Sequence, residues 1–107
     1  MKNRSSKQSK ACDISAEVRQ AVRERDNFRC IVCGSRFGIP NAHYISRAHS
    51  GLGMPENIVT LCNGCHYRLD NPRDKADEGL RGFVYDYLKA QYPDLDIRKL
   101  KYKGEKL

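Results

Sequence analysis

Asn57-Ile-Val-Thr-Leu-Cys62-Asn-Gly-Cys65-His66-Tyr-Arg-Leu-Asp70 is the stretch on which the reading of this chain turns. Ile58 to Leu61 is a short apolar run rich in β-formers and reads as a strand. From about Asn63 to Asp70 the chain reads as a helix. It ends at Asn71-Pro72, because the residue before a proline disfavours the helical conformation. Cys62 and Cys65 are half of a paired-cysteine pattern. His66 follows at once, and Asp70 follows four residues later.

The other half lies upstream, in Phe28-Arg-Cys30-Ile-Val-Cys33-Gly34. Gly34 lets the backbone turn tightly, so that amide N–H groups can point at thiolate sulfurs. Two matched Cys-x2-Cys knuckles predict a closed tetrahedral zinc site. No thioredoxin-like βαβ pattern surrounds either pair, which argues against redox chemistry. The 28 residues between the knuckles leave room for a hairpin. Its strands are predicted at Ala42–Ser46 and Ile58–Leu61, and its loop, 47–56, contains Gly51, Gly53 and Pro55. Zinc would then pin the ends of the hairpin and contribute folding free energy directly. Cys12 has no such partner and reads as a free thiol.

The 107-residue chain is short enough to need such a staple: only 39% of it is hydrophobic and it has no Trp. Its net charge of +7 is unevenly placed. Residues 1–10 carry four bases and no acid, and 98–107 carry five bases and one acid, whereas 11–97 carries 11 bases and 12 acids. The expected organisation is a disordered basic arm (1–10), a domain body (11–97) and a basic tail (98–107). Basic ends of this kind suit a polyanion such as nucleic acid. No apolar run reaches membrane-spanning length and no secretory signal opens the chain. The expected compartment is therefore reducing and cytoplasmic, where cysteines serve metals more than disulfides.

Two helices complete the plan. Ile14, Val18, Ala21 and Val22 form a helical stripe ending near Arg25, with Ser15 or Asp13 as its cap. Leu80, Phe83, Val84, Tyr87 and Leu88 form a second stripe in a helix from about Glu78 to Gln91, stopped by Pro93. Asp74–Asp77 reads as a charged linker. The fold class is small α+β: a ββα core stapled by four cysteines and flanked by an N-terminal and a C-terminal helix.

A second group of chemical side chains remains. His66 and Asp70, at i and i+4, share one helix face and offer an imidazole and a carboxylate to a divalent ion. His43 lies on the first strand. An unligated histidine beside a metal-bound phosphodiester suits a general base, because its pKa is near working pH. The Asn57 amide is placed to bond the backbone across the loop and hold the His43 strand.

The order of these residues resembles the HNH endonucleases, the ββα-metal or His-Me finger family, in their four-cysteine zinc branch. The resemblance covers about Cys30 to Asn71, with the motif core in 28–71. It rests on Cys-Ile-Val-Cys-Gly, on Ala-His-Tyr-Ile-Ser-Arg, and on Pro-Glu-Asn-Ile-Val-Thr-Leu-Cys-Asn-Gly-Cys-His. It implies a metal-dependent endonuclease acting on DNA, most naturally double-stranded, by nicking or double-strand cleavage. His43, Asn57 and His66 would be the motif residues. His43 would deprotonate the attacking water, His66 would hold one Mg²⁺, Mn²⁺ or Ni²⁺, and Asn57 would orient His43. Arg47 would contact phosphate. The chain departs from the family at Ala42, where many members carry a metal-ligating Asp or His. Asp70 is the first candidate to replace that ligand and His49 the second. Against the enzyme stands a non-catalytic, zinc-stabilised nucleic-acid-binding module. Substrate form, sequence preference and oligomeric state are not encoded in any recognisable signal.

Overall fold

The computed structural model describes residues 6–103. Helix α1 spans Ser6–Cys12 and α2 spans Ala16–Arg25. Strand β1 is Ile39–His43 and β2 is Ile58–Leu61. Helix α3 is Asn63–Asp70 and α4 is Lys75–Gln91. β1 and β2 form a two-stranded antiparallel sheet, in register Ala42 to Val59 and His43 to Ile58, with an irregularity between Ile39 and Ala42. The fold is α+β, a hairpin followed by a helix with further helices around it.

The core lies between the hairpin and the two C-terminal helices. Ala42, Val59 and Leu61 from the sheet meet Leu69 of α3 and Leu80, Val84 and Leu88 of α4. Cys30 and Cys65 join the same cluster. The α4 stripe therefore works as read, except at Phe83, which remains 45% exposed. Leu80, Val84 and Leu88 repeat at i, i+4 and i+8, and that row fills the contact without Phe83. Helix α4 also starts earlier than the sequence suggests. The Asp74 side chain accepts a bond from Asp77 N at 2.9 Å, so the expected linker is the cap and first turn of the helix.

β1 begins and ends three residues before its expected place. Tyr44 N still donates to the Asn57 carbonyl at 2.7 Å. Beyond it the Asn57 side chain, not its backbone, bonds Ile45, and the ladder stops there.

A buried carboxylate joins α2 to the rest. Asp26, at the end of α2, accepts from Thr60 N at 2.9 Å, from the Tyr87 hydroxyl at 2.6 Å and from Arg25 Nε at 2.7 Å. Arg25 in turn donates to the Pro55 and Ile58 carbonyls, both at 2.8 Å. The pair is hydrogen-bonded on both sides, which is the condition under which a buried charge is tolerated.

The chain ends are less separate from the body than their charge implies. Residues 1–5 of the expected arm lie outside the described residues, but from Ser6 the chain is helical and docked. Cys12 is buried, Gln8 Nε2 donates to Ser50 Oγ at 2.9 Å, and Gly53 N donates to the Ala11 carbonyl at 3.0 Å. Burial of one thiol side chain decides this, and short polar sequences give little local sign of it. At the other end Leu100 is buried, Leu52 N donates to its carbonyl, and Tyr102 N donates to the Ser50 carbonyl. The tail thus packs onto the Gly-rich loop as far as it is described, and 104–107 lie outside the described residues. Among the described residues no helix is long and apolar enough to cross a membrane.

Candidate functional site

The two knuckles meet. The Sγ atoms of Cys30, Cys33, Cys62 and Cys65 all lie within 4.8 Å of one another, with Cys33 and Cys62 at 3.6 Å. A tetrahedral ion with Zn–S bonds of about 2.3 Å requires sulfurs roughly 3.8 Å apart, so the donor set fits zinc. The backbone prepares it. Cys33 N points at Cys30 Sγ from 3.5 Å, and Gly34 turns the knuckle at φ +79°. Burial pushes the Cys30 thiol up, but bonds from the backbone of Cys33, Cys62 and Val32 outweigh it and bring it down to about 7. The Cys65 thiol is pushed well up, by burial first and then by sharing hydrogen bonds with its neighbours. Without a cation the group thus resists ionising together. Cys12 is buried elsewhere and is not part of this cluster.

Next to the cluster lies a cleft of about 600 Å³. His66 follows Cys65 directly, so the helix that carries two sulfurs into the cluster turns its next residue into the cleft. Asp70 lines it one turn on. Their side chains meet, His66 Nε2 to Asp70 Oδ2 at 3.2 Å. His43 lines the cleft from the end of β1, and Arg47 and Ser46 line it from the following loop. Asp13, Ile14 and Arg19 close it from the α1–α2 side. Residues spread from 13 to 70 in sequence therefore share one concavity.

Asn57 is fully buried and makes the bonds expected of it. Ile45 N donates to its Oδ1 at 2.7 Å, and its Nδ2 donates to the carbonyls of Ile45 and Leu52 at 3.1 and 2.8 Å. It ties the chain just after His43 to the far side of the loop. Asn57→Ala takes the partner from three partly buried backbone groups, and a fully buried group so left costs about 1–3 kcal/mol. The expected result is a loss of about 2–3 kcal/mol, measured by urea unfolding.

Four features of the site go beyond the reading of the sequence given above. The Cys12 carbonyl lies 2.9 Å from His43 Nε2. A carbonyl only accepts, so Nε2 carries the proton and Nδ1 is left with the lone pair. Second, Ala42 is fully buried in the core, because neighbouring residues on a strand face opposite ways. The residue sharing the cleft with His43 is Asn41, whose Oδ1 is buried and has no partner. Period-two alternation, applied one residue further back, would have found it. Third, Arg47 pairs with Asp13 at 3.1 Å. Both side chains are about half exposed, so the pair is weak and can yield to a phosphate. Fourth, His49 bonds Ser46 Oγ at 2.9 Å and lines a different recess with Arg98 and Lys101, so it is not in the cleft.

Comparison with known protein families, curated proteins and solved structures found no match. The reading of the cleft therefore rests on its own chemistry. The His43 imidazole is held below its ordinary value, by burial first. Arg47 and His66 push the same way, and the Cys12 bond and Asp70 oppose them. His43 is thus a neutral, half-buried base at the edge of an open cleft. Among the described residues, the four cysteines are the only group of three or more Cys, His, Asp or Glu gathered closely enough to hold an ion by themselves.

Proposed function

We propose that this chain is a metal-dependent endonuclease that hydrolyses DNA phosphodiester bonds. The observation that carries the proposal is the meeting of His43, His66 and Asp70 in one arginine-lined cleft beside the cysteine cluster. His66 Nε2 and Asp70 Oδ2, 3.2 Å apart, offer one nitrogen and one oxygen from the same helix face, a donor pair suited to a borderline or hard divalent ion with positions left open. Such an ion, when bound, would neutralise the scissile phosphate and stabilise the leaving oxygen. His43, with Nε2 committed to Cys12, accepts the proton of the attacking water at Nδ1. Asn57 holds the turn that follows His43, and Arg19 and Arg47 supply positive charge for the phosphates.

The test is nicking of supercoiled plasmid by purified protein with Mg²⁺, Mn²⁺ or Ni²⁺, with His43→Ala as control. The pH dependence is a second check. A base works only when unprotonated, and His43 releases its proton at lower pH than an ordinary histidine. The rate is therefore expected to stay high as pH falls to about 6.5 and to drop only below it. A rate that halves well above that value would remove His43 from the role.

A second reading, a zinc-stabilised nucleic-acid-binding module without catalysis, is favoured by the buried Ala42 and by the cleft's lack of a third close carboxylate or imidazole ligand among the described residues. It predicts DNA retention that weakens with salt and no difference in nicking between wild type and His43→Ala.

A further inference from the structure

Phe28 and Phe37 are 53% and 70% exposed, although a chain this short needs its large apolar side chains inside. They sit on the first cysteine knuckle. Phe28 follows the end of α2 with φ +59°, directly after Asn27 at φ +58°. Two successive non-glycine residues in the left-handed region are costly, and for a bulky side chain especially so. Phe28 N donates to the Arg23 carbonyl at 2.8 Å and so holds this strained turn. On the other limb Gly38 lies against the backbone of Arg29 and Cys30. A Cβ there would come within 2.7 Å of Cys30 N. Phe37 and Phe28 therefore leave the chain beside the same short stretch of backbone, and that stretch is pinned by Cys30.

The charged residues of the knuckle segment itself are of one sign. Residues 28–39 contain Arg29 and Arg36 and no acid. The Arg36 guanidinium lies 5.2 Å from the Phe37 ring centre. Arg29 bonds only the Gly34 carbonyl, at 3.1 Å. Arg23, one turn along α2 from Arg19 in the cleft, touches Gln20 at 3.5 Å. None of Arg19, Arg23, Arg29 and Arg36 is paired with a carboxylate among the described residues, whereas Arg25, Arg47, Arg68, Arg73 and Arg98 all are. Guanidinium groups without a carboxylate partner thus occur on α2, where Arg19 lines the cleft and Arg23 lies one turn on, and on the knuckle that carries the two exposed rings.

We propose that the edge formed by Phe28, Arg29, Arg36 and Phe37 is a contact surface for unpaired nucleic acid. The two rings stack on bases, and the arginines, with Arg23 and Arg19, lead the phosphates toward the cleft. Stacking platforms flanked by positive charge are the general solution for binding a single strand without reading its sequence. The Arg36 guanidinium covers one face of the Phe37 ring and leaves the other for a base, with its positive charge beside it for a phosphate. The inference rests on the nucleic-acid reading above but not on cleavage.

The full chain is titrated into a fluorescein-labelled single-stranded oligonucleotide and, separately, into one carrying 2-aminopurine. Zinc content and thermal midpoint are checked for every variant. Phe37→Ala and Phe28→Ala are each expected to weaken binding about ten-fold and to abolish the 2-aminopurine change. Phe37→Leu, which keeps an apolar side chain but no ring, should behave like Phe37→Ala. Arg36→Gln should lower the dependence of affinity on salt by about one unit of slope. Wild-type affinity and an unchanged 2-aminopurine signal in Phe37→Ala would overturn the proposal, even if wild type nicks plasmid. So would concentration-dependent self-association that Phe37→Ala abolishes while oligonucleotide binding is unaltered. Ring-dependent binding by a protein that fails to nick plasmid would uphold the proposal and remove the nuclease reading alone. No binding of any oligonucleotide by wild type would overturn both.

Discussion

Cys65→Ser, or removal of the metal by a chelator, is expected to unfold the chain. Two core residues, Cys30 and Cys65, are also members of the sulfur cluster, so the staple and the core are one structure. Structural zinc contributes about 10–16 kcal/mol in small metal-folded peptides, against a total stability of about 5–15 kcal/mol for an ordinary domain. Loss of the ion therefore exceeds what burial in a chain of this size can replace. The metal-free cluster offers no fallback, since Cys30 ionises near 7 while burial and its neighbours hold Cys65 protonated. Far-UV circular dichroism should show loss of the cooperative transition, and metal analysis should give one zinc per folded chain. Cys12→Ala is the informative control: it removes a buried thiol outside the cluster and should leave the zinc content unchanged. A Cys65→Ser protein that melts like wild type would show that the cluster is not a structural metal site.

His43→Ala is expected to lower plasmid nicking by about 10²- to 10⁴-fold, the usual contribution of a positioned general base. The effect should fall on turnover and leave DNA affinity little changed, because the arginines that line the cleft remain. Its stability cost should be small, since His43 is only half-buried and makes one hydrogen bond, to the last carbonyl of α1. That separates it from Asn57→Ala, where lost stability accompanies any lost activity. Equal nicking by wild type and His43→Ala would move the protein to the binding-module reading.

Much of the fold was legible because its signals are local. Ile58–Leu61 and Asn63–Asp70 follow from β-branched residues, a cysteine knuckle and a proline stop. The α2 cap follows from Ser15, which accepts from Val18 N. The site was less legible, because its geometry depends on which way a strand faces and on what packs against it. Ala42 looked like a missing ligand by its position next to His43, but pleating turns it into the core and brings Asn41 to the cleft. The resemblance gives Arg47 to phosphate and no sign of a carboxylate beside it. Its partner Asp13 lies 34 positions earlier, a separation no periodicity reports.

Local sequence suffices for the four sulfurs, for a hairpin between them and for the helix that carries His66 and Asp70. Each of these is written in spacing, and spacing along a helix or a knuckle fixes geometry over a few residues. Tertiary structure alone decided that α1 docks by burying Cys12, that its terminal carbonyl holds the His43 tautomer, and that the knuckle displays two phenylalanines. Those outcomes depend on burial and on hydrogen bonds between distant backbone segments, whose energies exist only once the chain has folded around the cluster.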